Sequence, residues 1–293
     1  MSATPAQRRV AFRELVRASE PLVLPGAYDA FTARLVERAG FPAAYLGSFA
    51  AAASTFGHPD VGLITLNDMV EASRRIVEAT GLPVLADGEN GFYDAENIWR
   101  TVQAFEGAGV AGIHIEDNLG GKHTSRPAGL MTRERMTNRI RAALDARTDP
   151  DFLIIARSDA AWVYRDVDEA VSRLRSYVAA GADAVFAPAI PAAKLKEVRS
   201  RIDAPVVVAA DLFDAPDGDR PGSTLAEYAE AGADVLLLWY SLIGAAAKNV
   251  LAALDALGQG REVADIRDLM LGQHAFESLM GYADYEARAA RYQ

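Results

Sequence analysis

A single (β/α)8 barrel is the fold that this sequence predicts. Three observations point there. Short apolar runs recur at Leu22–Pro25, Ala44–Leu46, Pro83–Ala86, Gly112–Ile115, Phe152–Ala156, Ala184–Ala187, Pro205–Ala209 and Val235–Trp239. Most are followed by a stretch with helical spacing of its apolar residues, and several of those stretches stop at the same punctuation. The runs themselves are too apolar for a sheet with one wet face, and suit a parallel sheet covered on both sides. Eight such units in roughly 240 residues fit a closed barrel, with a doubly wound open sheet as the second choice.

The elements follow in order. Residues 1–20 predict an N-terminal amphipathic helix on Val10, Phe12, Leu15 and Val16. Helices are then predicted over 29–39, 67–80, 95–108, 132–146, 167–180, 191–202, 223–231 and 242–257. The segments E-R-A-G-F, E-A-T-G-L, E-G-A-G-V, A-A-G-A-D and A-E-A-G-A-D each place a Gly where a left-handed cap would end the helix and release the next strand. No Pro- or Ser-rich linker divides the chain, so 1–293 reads as one barrel domain, with 258–293 as a C-terminal helical extension that packs on another subunit.

Composition narrows the function. The chain has 293 residues, 51% hydrophobic and 24% charged, with a formal net charge of −10. No basic face for nucleic acid is visible. No run approaches the roughly 18 apolar residues of a membrane span, and the N-terminus lacks a signal-peptide core. The absence of Cys excludes disulfides, thiolate metal sites and a Cys nucleophile. A cytoplasmic protein that meets small molecules, with neither nucleic acid nor membrane as partner, is the expectation.

The chemistry is expected on the loops after the strands, where barrels carry their active sites. The stretch from Pro83 to Asn118 is central: two strands that end in acids, with a helix between them. Asp87 and Glu89, two apart, would face the same way on a strand. Glu116 ends the neighbouring strand. With no Lys or Arg foreseen beside them, three converging carboxylates imply a cation, and hard oxygen donors suit Mg²⁺ or Mn²⁺. Taken singly, such acids more often cap helices or face water. Tyr28 follows strand one; Gly47 and Ser48 follow strand two, before a long loop to Asp60. Arg157 ends strand five and could grip a carboxylate in a fork, or serve a structural salt bridge. Ser48 and the Gly47–Phe49 amides could hold an oxyanion, although Ser48 alone reads as a turn residue. After Glu116, N-L-G-G-K-H-T-S-R-P-A-G-L has the composition of a lid or of a plain surface loop. His123 or Thr124 on it would handle a proton, and Lys122, His123 and Arg126 would face an anionic ligand. His114 is assigned to packing.

The motifs L-P-G-A-Y-D-A (24–30), Y-L-G-S (45–48), G-H-P-D-V-G (57–62), L-A-D-G-E-N-G-F (85–92), G-V-A-G-I-H-I-E-D (109–117), K-H-T-S (122–125) and I-I-A-R-S-D-A (154–160) resemble the isocitrate lyase/phosphoenolpyruvate mutase superfamily in order and spacing. The resemblance covers roughly 10–290. It implies a barrel whose last helix is swapped between subunits, in a homotetramer built as a dimer of dimers, and Mg²⁺ with an enolpyruvate-like intermediate. It implies that Asp87 holds the metal directly, and that Glu89, Glu116 and Asp60 act through its waters. It also implies that Gly47, Ser48 and Arg157 bind the oxo-carboxylate end, and that 122–126 forms the gating loop. The departures bear on substrate. D-G-E-N-G-F-Y stands for the usual D-A-D-T-G-Y-G. The K-[KR]-C-G-H of the isocitrate and methylisocitrate lyases is K-H-T-S-R here, and Pro188 and Ala209 stand where those lyases carry Glu and Asn. The nearest branch implied is that of oxaloacetate decarboxylase and methylisocitrate lyase-like members without the Cys. The expected activity is therefore a Mg²⁺-dependent carbon–carbon lyase of a small 2-oxo or 2-hydroxy dicarboxylate. A phosphonopyruvate-type P–C mutase or hydrolase, and a non-catalytic carboxylate-binding barrel, are the alternatives.

Overall fold

Eight parallel strands form a ring in the computed structural model, which describes residues 3–121, 124, 128–211 and 222–292. They are β1 (Leu22–Pro25), β2 (Ala44–Leu46), β3 (Val84–Asp87), β4 (Gly112–Glu116), β5 (Leu153–Arg157), β6 (Ala184–Phe186), β7 (Val206–Ala209) and β8 (Val235–Leu238). Each lies within a residue or so of its predicted run. The order β1-β8-β7-β6-β5-β4-β3-β2 makes every strand the neighbour of the next in sequence. Between β1 and β2 the ring is closed by a single parallel bridge, Gly26 with Tyr45, where the Ala27 amide donates to the Tyr45 carbonyl at 2.7 Å. Gly26 is required there, because a Cβ would sit 2.7 Å from the Leu238 carbonyl oxygen.

Alternation along the strands explains why the runs are continuous in apolarity. One set, including Leu22, Leu24, Tyr45, Leu85, Ile155, Phe186, Val207 and Leu237, forms the core inside the ring. The alternate set, such as Val84, Ala86, Ile113, Ile115, Ile154 and Val208, is equally buried on the outer face.

The helices of the first unit, residues 1–241, are α1 (Pro5–Val16), α2 (Ala30–Arg38), α3 (Ser48–Phe56), α4 (Leu66–Ala79), α5 (Trp99–Gly107), α6 (Arg133–Ala146), α7 (Ala160–Val163), α8 (Val167–Ala179), α9 (Ala192–Val198) and α10 (Leu225–Glu230). Side-chain caps start many of them: Thr4, Asp29, Thr65 and Thr224 each form a capping box. Gly40, Gly109, Gly181 and Gly232 have φ between 84° and 105° and serve as the predicted stops. Gly81 does not: α4 ends earlier, at an extended Thr80 with φ −135°. Phe12, Leu15 and Val16 of α1 pack on Leu22, Ala43, Ala111, Leu153, Ala184 and Val235, at the strand starts. Arg9 fastens α1 there by donating to the Val110 and Glu106 carbonyls and to Asp149. The bottom of the barrel is thus plugged, and chemistry is left to the opposite end.

Two helical expectations change. The segment after Ser48 is the helix α3, not a long loop, with Gly57 in a left-handed C-cap at φ 65°. The helix expected over 95–108 starts at Trp99; Asp94, gripped by the Arg135 fork at 2.9 and 2.7 Å, begins a run of turns before it.

The second unit, residues 242–293, consists of α11 (Ser241–Gly258), a 3-10 segment (Val263–Leu269), α12 (Gln273–Met280) and α13 (Tyr282–Ala289). α11 has 18 residues and is, by length and composition, the one described helix long and apolar enough to cross a membrane, although it is not an unbroken apolar run. Lys248 and Asp255 lie within it. Val250, Leu251, Leu254 and Leu257 on α11 are exposed, as are Phe276, Tyr282 and Tyr285 on the helices after it.

Candidate active site at the C-terminal mouth of the barrel

Asp87 is the hub of one half of the mouth. It ends β3 and is 3% exposed. Its Oδ2 accepts from the Ser48 hydroxyl at 2.9 Å, the Ser48 amide at 3.3 Å and the Tyr45 hydroxyl at 3.4 Å. Its Oδ1 accepts from the Glu89 amide at 2.8 Å and lies 3.6 Å from His114 Nε2. Ser48 therefore presents its hydroxyl to Asp87, rather than to an oxyanion as expected. The Ser48 amide belongs to the first turn of α3, with Gly47 as N-cap, so partial positive charge converges on Asp87.

Glu89 reaches the site by a different route from the one expected. β3 has ended, and Glu89 takes a left-handed conformation at φ 51°. The Gly88 amide donates to the His114 carbonyl, and the Glu116 amide donates to the Glu89 carbonyl. This turn keeps 88–89 stitched to β4 while it sets Glu89, 8% exposed, beside the strand end. Strand alternation does not apply there.

Tyr45 and His114 form the floor. Tyr45 Oη is 2.9 Å from His114 Nε2, their rings stack at 5.7 Å, and the His114 ring meets Phe186 edge-on at 5.2 Å. Burial pushes the Tyr45 phenol well above its ordinary range, and the Asp87 carboxylate adds to that push. The hydroxyl stays protonated and available as a donor. Both residues face inward by the period-of-two rule, two before Gly47 and two before Glu116, which was the signal for them.

The other half of the mouth is built on Arg157. In the β4–β5 register Glu116 pairs with Arg157. Arg157 Nη1 lies 3.2 Å from Glu116 Oε2, and its Nε and Nη2 fork onto Asp159 at 2.7 and 3.1 Å. Its guanidinium also stacks over Phe186 at 5.3 Å. Burial opposes the Arg157 charge, yet Asp159 and Glu116 prevail and hold the guanidinium charged more firmly than usual. The expectation of no nearby Arg was wrong, because strand ends far apart in sequence become adjacent in the ring. Glu116 is engaged by a cation of the chain itself.

Behind this, Asp117 is wholly buried and accepts from Ser158 Oγ at 2.8 Å, the Asp159 amide at 2.9 Å, Arg173 at 3.2 Å and the Tyr177 hydroxyl at 2.7 Å. Burial pushes its carboxyl up, against the pull of the Asp159 amide and Tyr177. Asn118 Nδ2 donates to Asp159 at 3.0 Å. Sequence reading gave Asp117 and Asn118 no role.

The remaining candidates are more dispersed. Tyr28 sits after β1, half-buried, with its amide on Thr32 Oγ1 at 3.1 Å. Asp60 is buried on the segment between α3 and α4. Thr124 is exposed, and its hydroxyl donates to the Gly121 carbonyl at 2.7 Å. Lys122, His123 and Arg126 lie outside the described residues.

Among the described residues, no group of three or more His, Asp or Glu could by itself hold a metal ion. Asp87, Glu89 and Glu116 therefore do not make such a group by themselves, and Glu116 Oε2 lies 3.2 Å from Arg157 Nη1. The donor set still fits Mg²⁺, which takes one or two carboxylates and fills its octahedron with water and substrate oxygens. Asp87, with Glu89 on the next turn, meets that demand.

Gly47 tests the floor. A Cβ there would lie 2.8 Å from the Tyr45 ring, which His114 and Asp87 hold in place. Gly47→Ala is expected to cost about 1–3 kcal/mol by overpacking and to lower turnover by displacing Tyr45. Thermal unfolding and steady-state rates on the same preparation check both.

A sequence profile of the family described as phosphoenolpyruvate phosphomutase matches residues 12–257. The chain is 37% identical to the 2,3-dimethylmalate lyase of Eubacterium barkeri over 285 residues, 92% of each protein. It is also 37% identical to the 2-methylisocitrate lyase of Shewanella oneidensis, over 91% of this chain and 94% of that one. Among solved structures, phosphonopyruvate hydrolase in complex with oxalate and Mg²⁺ superposes with a TM-score of 0.85 at 25% identity, over 99% of both chains.

Proposed function

Since the chain belongs to the phosphoenolpyruvate mutase/isocitrate lyase superfamily, we propose that it is a Mg²⁺-dependent carbon–carbon lyase. Its substrate is a small 2-oxo or 2-hydroxy dicarboxylate, cleaved through an enolpyruvate-like intermediate. The observation that carries this reading is the charge of the mouth: among the described residues, four buried carboxylates, Asp87, Glu89, Glu116 and Asp159, stand with one guanidinium, Arg157. A dianionic substrate approaching such a mouth needs additional positive charge, and Asp87 is the group placed to bring it. A divalent cation bound there supplies charge that stabilises an oxyanion as it develops.

The chain's own groups do the rest. Arg157 gives Nε and one Nη2 hydrogen to Asp159 and sets Nη1 3.2 Å from Glu116; among the described residues, its other terminal N–H bonds are the ones to fork onto a substrate carboxylate. Ser48 and Tyr45 orient Asp87 through their hydroxyls. From a 2-oxo diacid the distal carboxylate would leave as CO₂, the bond's electron pair passing to the 2-oxo oxygen as an enolate that takes a proton on carbon. From a 2-hydroxy diacid the hydroxyl would lose its proton and become the oxo acid's carbonyl, while the electron pair passes to the departing carboxylate-bearing fragment, which takes the proton on carbon. His123 or Thr124, on the segment after β4, stays the proposed proton handler.

The opposite side of the mouth speaks to the substrate's tail. The inward positions on β6 to β8 are Phe186, Ala209 and Leu237, and Trp239 and Phe49 meet edge-on at 4.8 Å above them. Asp211, which follows β7, is spent on the Trp239, Tyr240 and Ser241 amides and the Ser241 hydroxyl. Among the described residues this side offers an alkyl substituent a better environment than a third carboxylate. A substituted malate or a simple oxo diacid fits better than a tricarboxylate.

The exposed apolar stripe of α11 supports a homo-oligomer, with the superfamily's helix exchange in a dimer of dimers as the proposed form. A cytoplasmic location accords with such an enzyme. The experiment that tests the function follows oxaloacetate, substituted malates, methylisocitrate and phosphonopyruvate with Mg²⁺ by NMR. An oxo acid released from a carbon diacid is the expected result. A new phosphorus signal from phosphonopyruvate would move the protein to P–C chemistry, the reading that its likeness to phosphonopyruvate hydrolase keeps in view.

A further inference from the structure

Glu116 and Asp117 are consecutive and point opposite ways, Glu116 to Arg157 at the mouth and Asp117 toward α8 behind the barrel wall. We propose that Asp117, clamped by Arg173 and Tyr177, is a positioning residue that sets the orientation of Arg157. The proposal rests on the reading of Arg157 as the group that grips the substrate's carboxylate.

The chain of contacts is short, buried at Asp117, Ser158 and Asp159 and only partly exposed at Arg157. Asp117 Oδ1 accepts the Asp159 amide at 2.9 Å, and Oδ2 accepts the neighbouring Ser158 hydroxyl at 2.8 Å. The Ser158–Asp159 turn is thereby fixed at two points. The Asp159 carboxylate, steadied by Asn118 Nδ2 at 3.0 Å, then takes the Nε and Nη2 edge of Arg157. The Asp117 amide donates to the Arg157 carbonyl at 3.2 Å, so the same residue also fixes the Arg157 backbone. Asp117 itself is pinned from outside by the Tyr177 hydroxyl at 2.7 Å and by Arg173 at 3.2 Å, one turn apart on α8. Arg173 is aimed in turn by Glu169 at 2.8 Å and by the Met131 carbonyl at 2.7 Å.

Four donors on one carboxylate do more than neutralise a buried charge, for which Arg173 would suffice. Two of them belong to the turn that carries Asp159. A guanidinium fork must meet its target within a few tenths of an ångström, and supporting groups behind such a ligand change affinity about 10–100-fold. In Asp117→Asn a carboxamide NH₂ would face groups that are themselves donors, and the 158–159 turn would shift.

The test measures binding of oxalate with Mg²⁺ by calorimetry, together with KM and kcat on the substrate found by NMR. Asp117→Asn and the milder Tyr177→Phe are compared with Arg157→Lys and with Ile140→Val, a core change on α6 that costs stability elsewhere. Asp117→Asn is expected to weaken oxalate about tenfold or more and to raise KM more than it lowers kcat, with Tyr177→Phe shifted the same way by less. Ile140→Val should leave affinity unchanged at a comparable loss of melting temperature to Tyr177→Phe. If Arg157→Lys weakens oxalate but neither Asp117→Asn nor Tyr177→Phe does, Asp117 is a structural residue only and the proposal falls. If Asp117→Asn does not fold, Tyr177→Phe decides alone. If the wild-type protein fails to bind oxalate with Mg²⁺, the lyase reading falls first and takes this one with it.

Discussion

Asp87→Asn is expected to reduce kcat/KM by at least about 10³-fold, because one substitution removes both the proposed direct ligand of the cation and the charge that organises the floor. The amide is nearly isosteric, so the barrel should fold. Ser48 and the Glu89 amide donate to different oxygens of Asp87, so in the variant only one side keeps its acceptor and a backbone N–H on the other side, of Ser48 or of Glu89, faces the carboxamide NH₂. The predicted signature has two parts: activity no longer rises with Mg²⁺, while the melting temperature changes by a few degrees at most. Calorimetric titration of Mg²⁺ into both proteins checks it. A variant that binds Mg²⁺ as the wild type does would place the metal elsewhere.

Arg157→Met should have the largest effect on the fold as well as on activity. The side chain is of similar length and apolar, but its removal leaves Glu116 and Asp159 buried without their shared cation. Breaking a buried pair in this way costs about 3–5 kcal/mol. The pH dependence identifies the cause. In the variant, burial penalises the charged form of a carboxyl that has lost the guanidinium, and protonation relieves that penalty. The folded state then binds protons more readily, so the penalty is present at neutral pH and fades as the pH falls toward the ordinary carboxyl range near 4. The stability gap between wild type and variant, followed by urea unfolding, should narrow from pH 7 to pH 5. A gap that stays constant over that range would mean a packing defect instead of stranded charge.

The sequence revealed the strands nearly to the residue because a buried parallel strand must be apolar on both faces, and each run was bracketed by caps and glycines. α3 escaped notice for a local reason: S-F-A-A-A-A-S-T-F is helix-forming by composition, but its first residue, Ser48, also reads as a turn residue at the end of Y-L-G-S. The stop at Gly57 was its legible sign. At the site, Asp87, Ser48, Glu116 and Arg157 were legible as strand ends. Their pairing was not, because it depends on which strand ends are neighbours in the ring. Asp117 was less accessible still. Its partners Arg173 and Tyr177 lie 56 and 60 residues away. Only the packing of α8 on the outer wall brings them to it. His114 had been set aside as packing, and the structure makes it a wall of the site through Tyr45.

The ring is unevenly stitched, and this has a mechanical consequence. β4 and β5 share five paired residues and carry Glu116 and Arg157, whereas β1 meets β2 at one bridge. Thermal breathing should therefore concentrate at that seam, and the Ala27 amide should exchange its hydrogen sooner than those of β4 and β5. Ser48 stands two residues past Leu46, on the compliant side of the ring, and Arg157 on the stiff one. A load placed across the mouth should therefore displace the seam side, with Ser48 and the Asp87 it holds, more than the β4–β5 side.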